Sequence, residues 1–228
     1  MLLVDKAAGW TSHDVVSFIR KFGFRKVGHC GTLDPGATGL LVIVIGRATK
    51  LSERFSKQDK TYAGTMTLGV DTFTQDAEGK VIQIRDWSHV SEQQVYSVCA
   101  EFVGPQDQVP PMVSAVKKDG KKLYKLARQG IVVDRQPRPI NIYDLNVMSV
   151  EFPDIAFSVK CSKGTYVRTL CADIGARLEC GAHLKSLRRL VSGRFSLDGA
   201  HSIEEIKNWN KEILFRNFMP LDAVLSYI

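Results

Sequence analysis

With 228 residues, 44% hydrophobic and 24% charged, the chain has the composition of a globular protein with enough material for one sizeable core. Its five cysteines are scattered, odd in number and without a Cys-x-x-Cys, which argues against a disulfide framework and structural zinc, and its longest apolar run, 40–45, is too short to span a bilayer. The net charge of +7 favours a polyanionic partner without saying which, and the absence of a secretory pattern at the start gives the expectation of a cytoplasmic protein.

Leu2-Leu3-Val4 reads as a first short strand and residues 6–12 as a turn. Thr11 and Asp14 have the spacing of a capping box. Val15, Phe18, Ile19 and Phe22 then recur with helical period, so an amphipathic helix follows, closed by Gly23. Arg20, Lys21, Arg25 and Lys26 leave its exit basic, either as a solvated end or as a place to hold phosphate. Gly23 and Gly28 are spaced as in a phosphate-binding loop, but His29 stands where a lysine is required and no strand precedes the glycines; a nucleotide-triphosphate site is rejected.

The organising stretch is residues 28–39, with glycine at 28, 31, 36 and 39 and Pro35 beside Asp34. It is too irregular for helix or strand, and it leads into Leu40-Leu41-Val42-Ile43-Val44-Ile45, a run that calls for full burial. An irregular loop with a carboxylate at its centre is thus held against a buried strand. Asp34 is either a reactive group on a rigid scaffold or the acceptor of a tight turn.

Ala48, Leu51 and Phe55 suggest a short helix, 60–68 a strand, 72–79 a polar turn, and Val81, Ile82 and Ile84 a return strand. Ser91 and Gln94 repeat the capping-box spacing ahead of a helix with Val95, Val98, Cys99 and Phe102 on its apolar face. Residues 105–111 break the chain. Between 117 and 138 stand eight Lys or Arg against Asp119 and Asp134, with Tyr124 interleaved. This is a solvated basic face or, a better fit, a nucleic-acid backbone contact. Residues 155–161 form a strand candidate. Val167, Leu170, Cys171, Ile174 and Leu178 trace a helix ended by Gly181, with Arg168 in its first turn, where a cation is disfavoured unless a carboxylate faces it. Leu184, Leu187 and Leu190 alternate with arginines, and the tail from Ser202 to Ile228 holds two short helical patterns.

Gly28-His29-Cys30-Gly31-Thr32-Leu33-Asp34-Pro35 resembles the catalytic loop of the TruB family of tRNA pseudouridine synthases, in which the aspartate is essential. The resemblance covers nearly the whole chain. Lys6-Ala7-Ala8-Gly9-Trp10-Thr11-Ser12 is similar to the family's Lys-Pro-x-Gly-x-Ser/Thr-Ser motif and Lys60-Thr61-Tyr62 to its Lys-x-Tyr motif. Leu68 to Gly79 matches the turn that follows. Gln108 to Gly130 matches its RNA-gripping thumb, including Lys121-Lys122-Leu123-Tyr124, and Ser162 to Arg168 resembles its arginine motif. Gly181-Ala182-His183-Leu184 and Leu187-Arg188-Arg189 follow. Ala7, Cys30 and Gly36 depart from the usual proline, threonine and bulkier apolar residue.

The resemblance implies an α+β pseudouridine synthase fold: a central, mostly antiparallel mixed sheet flanked by helices, with a protruding thumb. It implies one catalytic domain over 1–228 with the thumb inserted at about 108–140 and no PUA domain, the small C-terminal domain into which bacterial members often continue. It implies an isomerase that converts uridine 55 in the T-loop of tRNA to pseudouridine. Asp34 is then the catalytic carboxylate, Arg168 its partner and Tyr62 the ring that stacks on the base. Leu187 is an apolar wall and His29 wedges beside the flipped nucleotide. Lys6, Tyr166, Lys121 and Lys122 complete the substrate-binding set. No metal or organic cofactor is expected, the partner is the T-arm of tRNA, and neither a membrane nor an obligate protein partner is indicated. The alternatives are an RNA-binding or tRNA-folding protein in which catalysis is secondary, and a synthase of the same fold acting on another RNA. An aspartate-nucleophile glycosidase fits less well, for want of a second carboxylate placed as acid partner.

Overall fold

The computed structural model describes residues 1–118, 120–220 and 222–223. Asp119 of the basic stretch and the end of the tail, 224–228, lie outside the described residues. The fold class is α+β, a large mixed sheet with helices beside it, and antiparallel pairs outnumber the parallel ones, as expected. The chain forms two compact units: Met1–Ala63 together with Leu187–Ile228, and Gly64–Ser186.

In the first unit the strand Thr38–Ile45 is central. Leu2–Lys6 pairs with it antiparallel, from Leu2 opposite Ile43 to Lys6 opposite Gly39. Val27–His29 pairs antiparallel with its far end, and Arg188 and Arg189 pair parallel with Thr38 and Gly39. The apolar run is buried on both faces, which is why it does not alternate. Leu41 and Ile43 join Leu2, Val4, Val15 and Ile19 in one cluster, while Leu40, Val42 and Val44 join Cys30, Phe55 and Phe195 in another. The helix Ser12–Arg20 begins in the expected capping box of Thr11 and Asp14. The short helix expected over 48–55 is a 3-10 turn, Gly46–Leu51, running into the α-helical turn Ser52–Ser56.

In the second unit Asp154–Cys161 pairs antiparallel with Arg138–Glu151, which pairs in turn with Gly104–Gln108. The long strand Arg138–Glu151 escapes sequence reading because it carries irregularities at Ile142/Asp144 and Val147/Ser149, and each shifts the two-residue period. The break expected at 105–111 needs correcting too: Gly104–Gln108 is a strand with Pro105 opposite Asn141. It ends the strand order, and an edge strand tolerates a residue without an N–H. The return strand Val81–Ile84 pairs with Val70–Thr72, and the helices Glu92–Glu101 and Val167–Arg177 stand where their apolar periods put them. In the basic stretch a hairpin pairs Lys117 with Lys122 and Lys118 with Lys121, followed by the helical turn Leu123–Ala127, whose Leu123 is buried. Among the described residues no helix is long and apolar enough to cross a membrane.

Candidate active site

Asp34 sits in the connection, 30–37, between two strands that pair with each other, so both ends of its loop are anchored. Carbonyls in such a loop lack ladder partners and need other donors. Three side chains supply them. Ser12, buried at the start of its helix, donates through Oγ to the Leu33 carbonyl at 2.9 Å and accepts from the Leu33 N–H at 2.8 Å. Lys6, with no exposed surface, donates to the carbonyls of Ala7 (3.0 Å), Trp10 (2.7 Å) and Pro35 (3.1 Å). The Gly9 N–H adds a second bond to Pro35 at 3.0 Å. The residues on either side of Asp34 are therefore both clasped by the 6–12 segment. Asp34 itself is half-buried, and its carbonyl accepts from the Ala37 N–H at 3.1 Å.

The third donor is Arg189, 1% exposed. Its Nε donates to the Leu40 carbonyl at 2.7 Å and one terminal nitrogen donates to the Gly31 carbonyl at 3.0 Å, one beside each end of the loop. Among the described residues it has no carboxylate partner. The close approach needs Gly39: at φ 95°, a Cβ there would stand 2.3 Å from the Arg189 carbonyl oxygen. Arg188, on the opposite side of the strand, is bound to Asp5 through both terminal nitrogens, the shorter contact being 2.7 Å.

Tyr62 and Leu187, both half-buried, pack against the same cluster as Leu33 and Ala37. The first unit thus gathers Asp34, Lys6, Tyr62 and Leu187 around one loop, with His29 on the strand that enters it. The Nδ1 of His29 is buried without a hydrogen-bond partner. Burial, then the nearby Arg189 cation and His13, hold its imidazole below the ordinary histidine value. Cys30 is fully buried, and burial pushes its thiol up to about 12 despite the cations of Lys60 and Arg189. It is an inert core group in this loop. Lys60 is buried as well, donating to the carbonyls of Ser56 (2.7 Å) and Gln58. Among the described residues no three His, Cys, Asp or Glu gather as metal ligands.

The second unit gathers the other predicted residues. Arg168, 4% exposed, donates to the carbonyls of Thr74 (2.8 Å) and Val113 (2.9 Å) and lies 3.4 Å from an Asp76 carboxylate oxygen. A cation in the first turn of a helix called for a facing carboxylate, and Asp76 is one. Thr169 adds a bond to the Gln75 side chain at 2.7 Å, tying the helix start to the 72–79 turn, where Gln75 has φ 64°. Gln108, nearly buried, holds the backbone of Tyr166 on both sides: its Nε2 donates to the carbonyl at 3.1 Å and its Oε1 accepts from the N–H at 2.8 Å. Lys121 and Lys122 are exposed on their hairpin, with Lys122 5.6 Å from the Tyr124 ring centroid.

Sequence reading thus missed Ser12, Arg189, Asp76 and Gln108. Asp76 carried a signal, since it is a carboxylate in a polar turn and a cation in the first turn of a helix calls for one. The others stood within matching motifs but carried no sign of their roles, because which backbone group a side chain reaches depends on the fold.

A family model for the N-terminal domain of TruB family pseudouridylate synthases matches residues 20–167. A second, for the C-terminal domain of tRNA pseudouridylate synthase B, matches residues 168–226. The chain is similar to the tRNA pseudouridine synthase B of Syntrophotalea carbinolica, 53% identical over 208 residues, which cover 91% of this chain and 68% of that protein. It is 46% identical over 227 residues to that of Burkholderia pseudomallei, covering 99% of this chain and 75% of that one. Among solved structures it is similar to a chain of a Cbf5-Nop10-Gar1 complex, with TM-score 0.75 and 28% identity over 100% of this chain and 61% of that chain. It is also similar to a chain of an H/ACA RNP bound to a substrate RNA containing 2'-deoxyuridine, with TM-score 0.70 and 26% identity, covering 96% of this chain and 55% of that one. The chain spans about two thirds to three quarters of the length of these curated relatives and less of the structural ones.

Proposed function

The chain belongs to the TruB family of pseudouridylate synthases, and from that premise we propose that it isomerises uridine 55 in the T-loop of tRNA to pseudouridine, in the cytoplasm, with Asp34 as the reacting carboxylate. The reaction breaks the bond from base to sugar, turns the base and rejoins it through carbon 5. Nothing is oxidised and no group is donated. What it demands of a protein is a carboxylate beside the sugar, a route for the C5 hydrogen and a wall for the base. The target leaves its stack to reach the loop, and recognition of the surrounding RNA is by shape and backbone.

The observation that carries this reading is the clasp on both neighbours of Asp34 by Ser12, Lys6 and Gly9, which holds the backbone on either side of the carboxylate before substrate arrives. Preset geometry of this kind contributes strongly to rate. Tyr62 and Leu187 are assigned to the base, stacking and walling it, and His29 to the space vacated in the RNA. Arg168 is assigned to pair with Asp34, aimed by the carbonyls of Thr74 and Val113 and by Asp76. Tyr166, held by Gln108, contacts substrate beside it. Residues 108–140 serve as the thumb that closes on the T-arm, with Lys121 and Lys122 on phosphate.

The test uses unmodified tRNA carrying tritium at C5 of uridine. Release of tritium follows isomerisation, whereas binding alone leaves it in place. Asp34→Asn is expected to abolish release while RNA affinity is largely kept. A wild-type chain that binds tRNA and releases no tritium refutes the proposal, and so does turnover near wild type in Asp34→Asn.

A further inference from the structure

We propose that Gln75 and Thr169 are a pair of positioning residues that hold the Arg168 guanidinium in its working orientation. The proposal rests on the role assigned to Arg168 in pairing with Asp34, and it concerns neither the Asp76 carboxylate nor the thumb. Three consecutive residues of the 72–79 turn grip the first turn of the helix Val167–Arg177. The Thr74 carbonyl accepts from Arg168 at 2.8 Å, the Gln75 Oε1 accepts from the Thr169 hydroxyl at 2.7 Å, and an Asp76 carboxylate oxygen lies 3.4 Å from Arg168. In extended chain neighbouring side chains point to opposite faces, so Gln75 and Asp76 could not both face one helix. The backbone of Gln75 removes that obstacle: its φ of 64° turns the chain and brings both side chains to the same side.

Backbone hydrogen bonds hold this conformation. The Gln75 N–H donates to the Thr72 carbonyl at 3.0 Å, its carbonyl accepts from the Leu184 N–H at 3.0 Å, and the Ala77 N–H donates to the Leu184 carbonyl at 3.0 Å. The Thr72 hydroxyl donates to the Asp76 carbonyl at 2.7 Å and closes the turn. Left-handed backbone disfavours residues with a Cβ, and glycine would adopt it without strain. What glutamine adds over glycine here is a side-chain amide, whose oxygen takes the Thr169 hydroxyl. A helical threonine commonly returns its hydroxyl to a carbonyl one turn back, whereas Thr169, 3% exposed, donates across to the turn. Its neighbour Arg168 is fixed at the tip by two carbonyls from separate segments, Thr74 and Val113. The Gln75–Thr169 bond sets the distance between the helix start and the turn, and with it where the Thr74 carbonyl meets the guanidinium. Without that bond the planar fork loses one of its two fixed points and swings about the other.

The experiment compares the wild-type chain with Thr169→Val, which keeps the shape and removes the hydroxyl, and with Thr169→Ser, which keeps a hydroxyl. Gln75→Gly removes the amide while allowing the positive φ without strain, and the double variant combines it with Thr169→Val. Tritium release is followed in single turnover at saturating RNA, beside RNA affinity and thermal melts. Thr169→Val and Gln75→Gly should each slow release by about five- to twentyfold, part of the roughly 100-fold loss that a misplacement of about 1 Å brings. Affinity should stay within about twofold, and so should the rate of Thr169→Ser. The double variant should be no slower than the slower single, because both remove the same bond. Gln75→Gly should melt within about 3 °C of wild type, since relief of strain offsets the lost bond; a slowed reaction at kept stability is a pattern that a merely structural bond does not give. A second readout is independent of turnover. The guanidinium proton resonances of Arg168, assigned by their absence in Arg168→Lys, should be resolved by restricted rotation in the wild type and coalesce in both single variants. Rates within about twofold of wild type in both singles overturn the proposal, as do losses that add in the double variant. Slowed release with unchanged Arg168 resonances overturns it equally. If Thr169→Val fails to fold, Gln75→Gly decides alone. If the wild-type chain binds tRNA without releasing tritium, the isomerase reading fails, while the Arg168 resonances still decide whether the pair holds the guanidinium.

Discussion

Arg189→Met replaces a buried guanidinium by an apolar side chain of similar length. The two carbonyls it serves, Gly31 and Leu40, then lose their donors. Two hydrogen bonds to a charged donor contribute about 3–6 kcal/mol together. Against this stands the desolvation of the cation, several kcal/mol that the methionine does not incur. The net cost is about 0–3 kcal/mol, which for a chain of this length lowers the melting temperature by at most roughly 12 °C. The effect on chemistry is separate. Slackening both ends of the loop displaces Asp34, and a misplacement of about 1 Å costs on the order of 100-fold in rate. Arg189→Lys keeps the charge but lacks the planar fork that reaches both carbonyls, so it should fall between wild type and Arg189→Met on both measures. The assay pairs thermal melts with single-turnover tritium release well below the lower melting temperature and at saturating RNA. Loss of stability with a wild-type rate would show that Arg189 only holds the core, and a melting temperature lowered by well over roughly 12 °C would refute the energetic reasoning as well.

Two further outcomes are expected. Arg168→Lys should bind RNA normally and turn over poorly, because one ammonium does not satisfy Thr74, Val113 and Asp76 together as the planar fork does; full single-turnover activity would remove Arg168 from its assigned role. His29 titrates below its ordinary value of 6.5 in the folded chain, through burial first and Arg189 second, so the unfolded chain takes up the proton earlier as pH falls. Its contribution to stability is complete above 6.5 and is lost as pH falls towards the folded value. His29→Gln should therefore narrow the difference in melting temperature between neutral and mildly acid buffer, and an imidazole resonance titrating at or above 6.5 would contradict this.

The helices were legible where local chemistry decides them. Thr11 with Asp14 and Ser91 with Gln94 each close a capping box within four residues, and the apolar stripes behind them need no distant partner to be read. The loop at Asp34 was legible for a different reason, since glycines and a proline exclude regular structure whatever surrounds them. What stayed hidden depends on long-range register. Arg138–Glu151 alternates too irregularly to announce a strand, and Pro105 disguised an edge strand as a break. Arg189 was visible as one arginine of the Leu187-Arg188-Arg189 motif, with nothing to set it apart from Arg188, which turns outward to Asp5. Which of the two is buried follows from the strand's two faces and from Gly39 admitting the backbone of one of them.

The use of cations in the scaffold follows from the same geometry. A loop that turns its carbonyls inward needs many donors within a small volume. A hydroxyl donates once, as Ser12 does to Leu33, whereas Lys6 serves three carbonyls from one stem and Arg189 two. The desolvation of these charges is incurred once, on folding, and is offset there by hydrogen bonds stronger than neutral donors would make. No ordering of the loop is then left for the moment of binding. On the proposed function, free energy from phosphate contacts would then be available for removing the target base from its stack.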